Sequence, residues 1–157
     1  MHVLVTGAAG MIGAKLARRL LADARLGDRA IDRLTLHDVV APPLPETASF
    51  PVETLAADIG DPATAIRLVA GRPDVIVHLA AIVSGEAEAD LEKGYRINLD
   101  GTRALMEAIR AQGAASGGGY RPRLVFASSV AVFGAPLPEP VPEDHALTPL
   151  TSYGTQK

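Results

Sequence analysis

The sequence predicts a doubly wound α/β domain built on a parallel sheet. Three observations carry this reading: five short apolar runs separated by helical stretches, a glycine-rich turn directly after the first run, and hydrophobicity read as continuous rather than alternating. Strands covered by helices on both faces need apolar residues at successive positions, whereas a sheet with one wet face alternates. The 157 residues suffice for one domain, which at this size buries about 70% of the surface its unfolded chain exposes. No repeat or linker divides them.

The strands are read at residues 3–5, 34–36, 52–55, 75–79 and 124–127. Between the first two, Ile12, Leu16, Leu20 and Leu21 give a crossover helix its apolar stripe, with Lys15, Arg18 and Arg19 on the other side. Ala63, Ile66 and Ala70 predict a shorter helix, introduced by Asp61 as N-cap and Pro62 in the first turn. Leu91, Tyr95, Asn98, Thr102, Leu105 and Ile109 recur at helical spacing, which places Asn98 on the inward face of a long helix. Residues 114–119 are a small-residue connection, and two proline-rich loops span 41–51 and 134–149. The first reads as a surface connection. The second follows the last strand, on the side where an open α/β sheet places its ligand crevice.

Composition narrows the function. A formal net charge of −3 supplies no basic footprint for nucleic acid and no lysine cluster for anionic lipid. Cysteine is absent, so there is no disulfide framework and no thiolate metal site. The N-terminus reads as a strand rather than a signal peptide, and no run of about 18 apolar residues occurs. The expectation is a soluble cytoplasmic protein. His2, His37, His78 and His145 lack metal-ligand spacing, and His78, inside an apolar run, reads as structural. Neither a Gly-x-Ser-x-Gly elbow nor a P-loop is present.

The chemistry-bearing residues lie at the strand ends. Gly7, Gly10 and Gly13, with Met11 and Ile12 between the last two, form a strand-to-helix turn. Such a turn lets a pyrophosphate approach the backbone and the free N–H groups of the helix start. Its Gly-x-x-Gly-x-x-Gly spacing departs from Gly-x-Gly-x-x-Gly by placing Ala8 at the first glycine position. Asp38 stands 25 residues after Gly13 at the end of the second strand. From there a carboxylate accepts both hydroxyls of an adenosine ribose and repels a 2′-phosphate, favouring NAD over NADP, or it serves only as a turn residue. Asp58 either contacts adenine or starts the turn Asp58-Ile59-Gly60-Asp61. Tyr153 and Lys157 are four apart and share one face of a helix. An ammonium about 5.5 Å from the phenol, at an effective dielectric near 20, favours phenolate by roughly 3 kcal/mol. Ser128 and Ser129 end the fifth strand; Ser129 is the preferred hydroxyl for holding a substrate oxygen beside the phenol, the alternative being that both only satisfy backbone groups.

Taken together, these motifs, with His78-Leu79-Ala80-Ala81 and Asn98 followed by Gly101-Thr102, resemble the extended short-chain dehydrogenase/reductase (NAD-dependent epimerase/dehydratase) superfamily. The resemblance implies a Rossmann-type fold and NAD as cofactor. It implies that the glycine turn holds the pyrophosphate and that Asp38 binds ribose. Asp58 and Ile59 would lie by adenine, and Leu79, Ala80 and Ala81 along the nicotinamide half. Asn98 would support the site, Ser129 would position the substrate hydroxyl, Tyr153 would exchange its proton, and Lys157 would bind the nicotinamide ribose. The stretch 128–134, the following Pro-Leu-Pro loop and residues 152–157 are similar to one branch, the D-erythronate dehydrogenases. Nucleotide-sugar epimerases more often carry serine where Gln156 stands. That branch implies oxidation of the C2 hydroxyl of a small sugar acid, with Ser84, Ser129 and Tyr153 nearest the substrate. Family members continue beyond the lysine, so residues 1–157 are expected to be an NAD-binding domain cut before a substrate-binding part, with Tyr153 and Lys157 on a frayed helix. The alternatives are a nucleotide-sugar epimerase/dehydratase and a non-catalytic dinucleotide-binding module. Pairing of copies through the long helix is left open.

Overall fold

The structure is a computed structural model and describes residues 1–43 and 47–157. Residues 44–46, the middle of the first proline-rich loop, lie outside the described residues. All five expected strands form, as β1 (His2–Thr6), β4 (Arg33–Asp38), β5 (Val52–Ala56), β6 (Val75–His78) and β7 (Arg123–Phe126). They pair in parallel in the order β5-β4-β1-β6-β7. The chain turns one way from β1 to β4 and the other way to β6. That divergence opens a crevice above the carboxyl end of β1.

The strands divide between two cores. Val3 and Val5 of β1 pack with Leu34, Leu36, Ala17 and Leu20, while Leu4, between them, packs with Ile76, Leu68, Val69 and Leu105. This division accounts for the successive apolar positions of β1 and β6, whereas β4 gives Leu34 and Leu36 to the first core and alternates them with Thr35 and His37. The first core is covered by α1 (Met11–Asp23), the second by α2 (Pro62–Ala70) and α5 (Gly101–Ala115). Leu4 is fully buried; truncating such a side chain to alanine costs about 2–5 kcal/mol.

Two helix faces differ from expectation. Ile12 is 60% exposed, and α1 instead buries Gly13, Ala17 and Leu20, with Leu16 and Leu21 packed at the margin. Small residues at 13 and 17 let the helix approach the sheet closely, which rotates the buried face by one residue. In α2, Ala63, Ile66 and Ala70 all face outward, and Thr64, Ala65, Leu68 and Val69 are buried. The predicted start is correct: Asp61 accepts the Ala63 N–H at 2.9 Å, with Pro62 in the first turn.

The long helix is interrupted. Residues run through α4 (Leu91–Gly94), a π-helical segment (Tyr95–Asp100) and α5. Leu91 is exposed while Gly94, Asn98, Gly101, Leu105 and Ala108 are buried, the glycines at 94 and 101 taking the closest approaches, to Gln156 and to Ile59. Asn98 lies inside, as its spacing predicts. A small hairpin of β2 (Arg25–Leu26) and β3 (Arg29–Ala30) turns through Gly27 at φ +59°. The remaining elements are α3 (Ser84–Ala89), a 3-10 turn (Val130–Val132) and α6 (Ser152–Gln156). Among the described residues no helix is long and apolar enough to cross a membrane, and no three His, Asp or Glu side chains are grouped to hold a metal.

Candidate active site

The glycine turn sits at the crevice, and its geometry excludes side chains. Gly7 adopts φ +71°, and a Cβ there would stand 2.7 Å from Ala80 N; a Cβ on Gly13 would come within 2.1 Å of the Gly7 carbonyl oxygen. Three backbones therefore meet closely: the turn, the start of α1 and the segment after β6. No side chain caps α1 at Gly10, so the N–H groups of Met11, Ile12 and Gly13 remain for an anion. This is a cradle that fits a pyrophosphate.

A cavity of about 500 Å³ adjoins this turn, lined in part by Gly7, Gly10, Asp38, Asp58 and Ile59. Leu79, Ala80 and Ala81, expected along the nicotinamide half, line it too. A larger hollow of about 770 Å³ beside Met1, Asp74 and Arg123 lies at the opposite end of the strands and contains none of the predicted residues.

Asp38 is fixed by two backbone donors, Ala9 N–H at 2.9 Å and Val39 N–H at 2.7 Å. It thus braces the glycine turn from the next strand. Asp58 does serve its turn, accepting the Gly60 N–H at 2.8 Å, and it also pairs with Arg96 at 2.6 Å. Burial opposes its charge, but Arg96 and the Gly60 N–H outweigh that, holding the carboxyl below the usual aspartate range. The sequence reading missed Arg96, together with Glu86 and Lys93, which form an ion pair at the cavity rim. Sequence separation hid the first pair.

His78 is structural. Thr6 Oγ1 accepts the Leu79 and Ala80 N–H groups, each at 3.2 Å, so its proton goes to His78 Nδ1 at 2.7 Å. Nε2–H then donates to Thr102 Oγ1 at 3.0 Å, which donates to the Asn98 carbonyl at 2.7 Å. Burial, aided by the charge of Lys157 and by His37, lowers the His78 pKa to about 4. The ring is neutral and ties β1 and β6 to α5.

Asn98 does not line the cavity but anchors its wall. Its side chain accepts the Ile82 N–H at 2.9 Å and donates to the Ile82 carbonyl at 3.2 Å and to Gln156 Oε1 at 2.9 Å. Gln156 is 3% exposed, and it packs so closely over Gly94 that a Cβ there would stand 2.7 Å from the amide nitrogen. Sequence reasoning missed the part of Gln156 here too; an amide next to a predicted lysine was the available signal.

Tyr153 lies on α6 as expected, with Lys157 immediately following Gln156. Thr151 caps the helix by accepting the Gly154 N–H at 3.0 Å, and Glu88 of α3 accepts Ser152 Oγ–H at 2.9 Å and Tyr153 N–H at 2.7 Å. Gly154 rests on Ala131, whose carbonyl would meet a Cβ at 2.2 Å. This brings α6 against the 3-10 turn that Ser129 begins, its Oγ accepting the Ala131 N–H at 3.2 Å. That bond leaves the hydroxyl proton free to donate. Ser128 Oγ–H donates to the Lys157 main-chain oxygen at 3.3 Å. The Lys157 ammonium lies 4.7 Å from the Phe126 ring centroid, and burial lowers its pKa. Ser84 is exposed at the start of α3, the helix whose Glu88 holds α6.

Known proteins are similar to this chain in sequence and fold. The NAD dependent epimerase/dehydratase family matches residues 3–157. A D-erythronate dehydrogenase of Cupriavidus necator is 46% identical over 100% of this chain and 47% of its own length. A crystal structure described as a nucleoside-diphosphate-sugar epimerase from Agrobacterium tumefaciens is 57% identical, with a TM-score of 0.94 over 99% of this chain and 45% of that one. A uronate dehydrogenase from Agrobacterium tumefaciens, a point mutant complexed with NAD, is 32% identical with a TM-score of 0.75, covering 99% of this chain and 51% of that one. The chain spans about half the length of the curated relatives it matches. With a parallel sheet, a backbone-lined glycine turn and a family match over residues 3–157, the chain belongs to the NAD dependent epimerase/dehydratase family.

Proposed function

We propose that the chain forms the NAD-binding domain of a dehydrogenase that oxidises the C2 hydroxyl of a small sugar acid such as D-erythronate to the 2-oxo acid. The observation that carries the substrate class is the 46% identity to a D-erythronate dehydrogenase along the whole chain. The choice of NAD is supported by Asp38, a carboxylate held at the cavity rim where a 2′-phosphate would be repelled. In this reading further chain completes the substrate pocket.

Bound NAD supplies the hydride acceptor. The Ser129 hydroxyl donates to the substrate oxygen, and the Tyr153 phenolate takes the C2 hydroxyl proton as the hydride leaves C2. Lys157, immediately past the end of α6, would bind the nicotinamide ribose. Substrate loses one hydride and one proton, and solvent recovers the proton from Tyr153.

The assay is NAD reduction with D-erythronate by the whole protein. Tyr153→Phe is expected to leave NAD affinity near normal and to lower kcat by at least about a hundredfold; retained turnover sinks the proton-transfer role. A second reading, a nucleotide-sugar epimerase, is favoured by the 57% identical structure. It predicts sugar conversion without net NADH.

A further inference from the structure

Tyr153 sits between two side-chain anchors that come from different elements. On its C-terminal side, Gln156 Oε1 accepts the Asn98 amide at 2.9 Å, and Asn98 also bonds both backbone groups of Ile82, a residue that lines the cavity. On its N-terminal side stands Glu88, and both of its contacts with α6 meet one oxygen, Oε1: Ser152 Oγ–H at 2.9 Å and Tyr153 N–H at 2.7 Å. The hydrogen-bond directions along this line are forced. Gln156 Oε1 accepts from Asn98, so it is Gln156 Nε2 that faces Ser152 Oγ, at 3.5 Å, and donates to it. The Ser152 proton then goes to Glu88, whose carboxylate only accepts.

The start of α6 does not by itself require Glu88. Thr151 already caps the helix through the Gly154 N–H, and water can serve a first-turn N–H beside an exposed side chain. What Glu88 adds is a fixed link from α3 to the main chain of one residue. α3 is a firm base for that link: Ala87 is fully buried, and its carbonyl oxygen would stand 3.1 Å from a Cβ on Gly94. Bonds received by a carboxylate are shorter and stronger than those received by a neutral acceptor.

We propose that Glu88 is a positioning residue for proton transfer: by accepting Tyr153 N–H and Ser152 Oγ–H together, it holds the Tyr153 main chain where the phenol meets the substrate hydroxyl. Glu88 acts through Tyr153 and touches neither substrate nor cofactor. The inference rests on the acid/base role of Tyr153 proposed above. Its holding power comes from an acceptor oxygen in the right place. Glutamine at 88 keeps both bonds through its own Oε1, whereas alanine keeps neither.

The test uses the whole protein and the variants Glu88→Ala, Glu88→Gln and Tyr153→Phe. With NAD and D-erythronate, Glu88→Ala is expected to lower kcat by at least about tenfold, while KM and the Kd for NAD stay within about twofold. The solvent deuterium isotope effect on kcat should rise in Glu88→Ala, because proton transfer to a misplaced phenolate then limits turnover; a merely structural role would not move it. Glu88→Gln should recover most of the lost turnover. On the Tyr153→Phe background, Glu88→Ala should change the residual rate by less than about twofold. A readout without turnover follows the Tyr153 amide in protein labelled with nitrogen-15 tyrosine, assigned by its loss in Tyr153→Phe. This resonance should shift and exchange faster in Glu88→Ala, and stay near its wild-type position in Glu88→Gln. Unchanged kcat in Glu88→Ala, equal losses in Glu88→Ala and Glu88→Gln, or a loss of NAD affinity that matches the loss of kcat overturns the inference. So does an unmoved Tyr153 amide in Glu88→Ala. A wild type that binds NAD and leaves D-erythronate unoxidised sinks the proposed substrate instead, and the amide still decides whether Glu88 anchors Tyr153.

Discussion

The two ends of the candidate site are held by different kinds of bond. At the glycine turn, backbone meets backbone: Gly7 against Leu79 and Ala80, Gly13 against Gly7, and Ala8 N–H on the His37 carbonyl. At α6, side chains do much of the holding, through Glu88 on Ser152 and Tyr153, Asn98 on Gln156, and Ser128 on the Lys157 main chain. The difference teaches that the cofactor end is specified by what residues lack, a Cβ above all. The acid/base end is specified by functional groups reaching across from α3 and from the π-helical segment. The first is rigid because no alternative packing exists. The second is adjustable one tether at a time.

Gly13→Val should break the contrast most severely. The added side chain enters a space where even a Cβ would stand 2.1 Å from a backbone oxygen. It is expected to cost about 3 kcal/mol of stability and to weaken NAD binding by at least about a hundredfold, read by thermal melting and titration. Retained affinity would mean that the turn is softer than its contacts imply.

Acid should attack the cofactor end through His78. Its pKa is about 4 in the folded protein, lowered by burial, against 6.5 for the free side chain. Protons thus bind the unfolded chain more readily, and the stabilisation present above pH 6.5 is lost as pH falls through 6.5 toward 4. The full shift corresponds to about 3 kcal/mol. Denaturant titrations across that range should show the slope, and His78→Phe should flatten it even while lowering stability overall. An equally steep slope in the variant would move the titration to other groups.

Gln156→Leu is the milder and more selective change. It strands one amide hydrogen of Asn98 and should cost about 1–2 kcal/mol. Hydrogen exchange should quicken in α6 and leave β1 and α1 unaffected, and kcat should fall while the Kd for NAD holds. A parallel rise in exchange throughout the sheet would erase the distinction between the two ends.

The same contrast decides what could be read without coordinates. β1 was legible because a strand buried at every position is apolar almost throughout, and the glycine turn because missing side chains show in any sequence. Spacing put Tyr153 and Lys157 on one helix; α6 carries Tyr153 and ends at Gln156, one residue short of Lys157. Ile12 and Ile66 misled, because apolar type was counted where approach distance decides: small Gly13 and Ala17 take the sheet in one case, and Thr64 and Ala65 face the second core in the other. The π-helical segment was hidden, since its inserted residue leaves no mark on a spacing count. Arg96 and Asp58, 38 residues apart, meet only after both elements have folded.

Asp38 has a consequence for anyone wishing to redirect this scaffold to a phosphorylated coenzyme. The carboxylate that would reject a 2′-phosphate also accepts the Ala9 N–H, so exchanging it for a basic side chain removes an acceptor from the glycine turn. Loop integrity and, in the proposed reading, coenzyme preference are vested in one group. A workable swap needs a companion substitution that gives Ala9 a new acceptor, and single replacements at this position should lose one coenzyme before gaining the other.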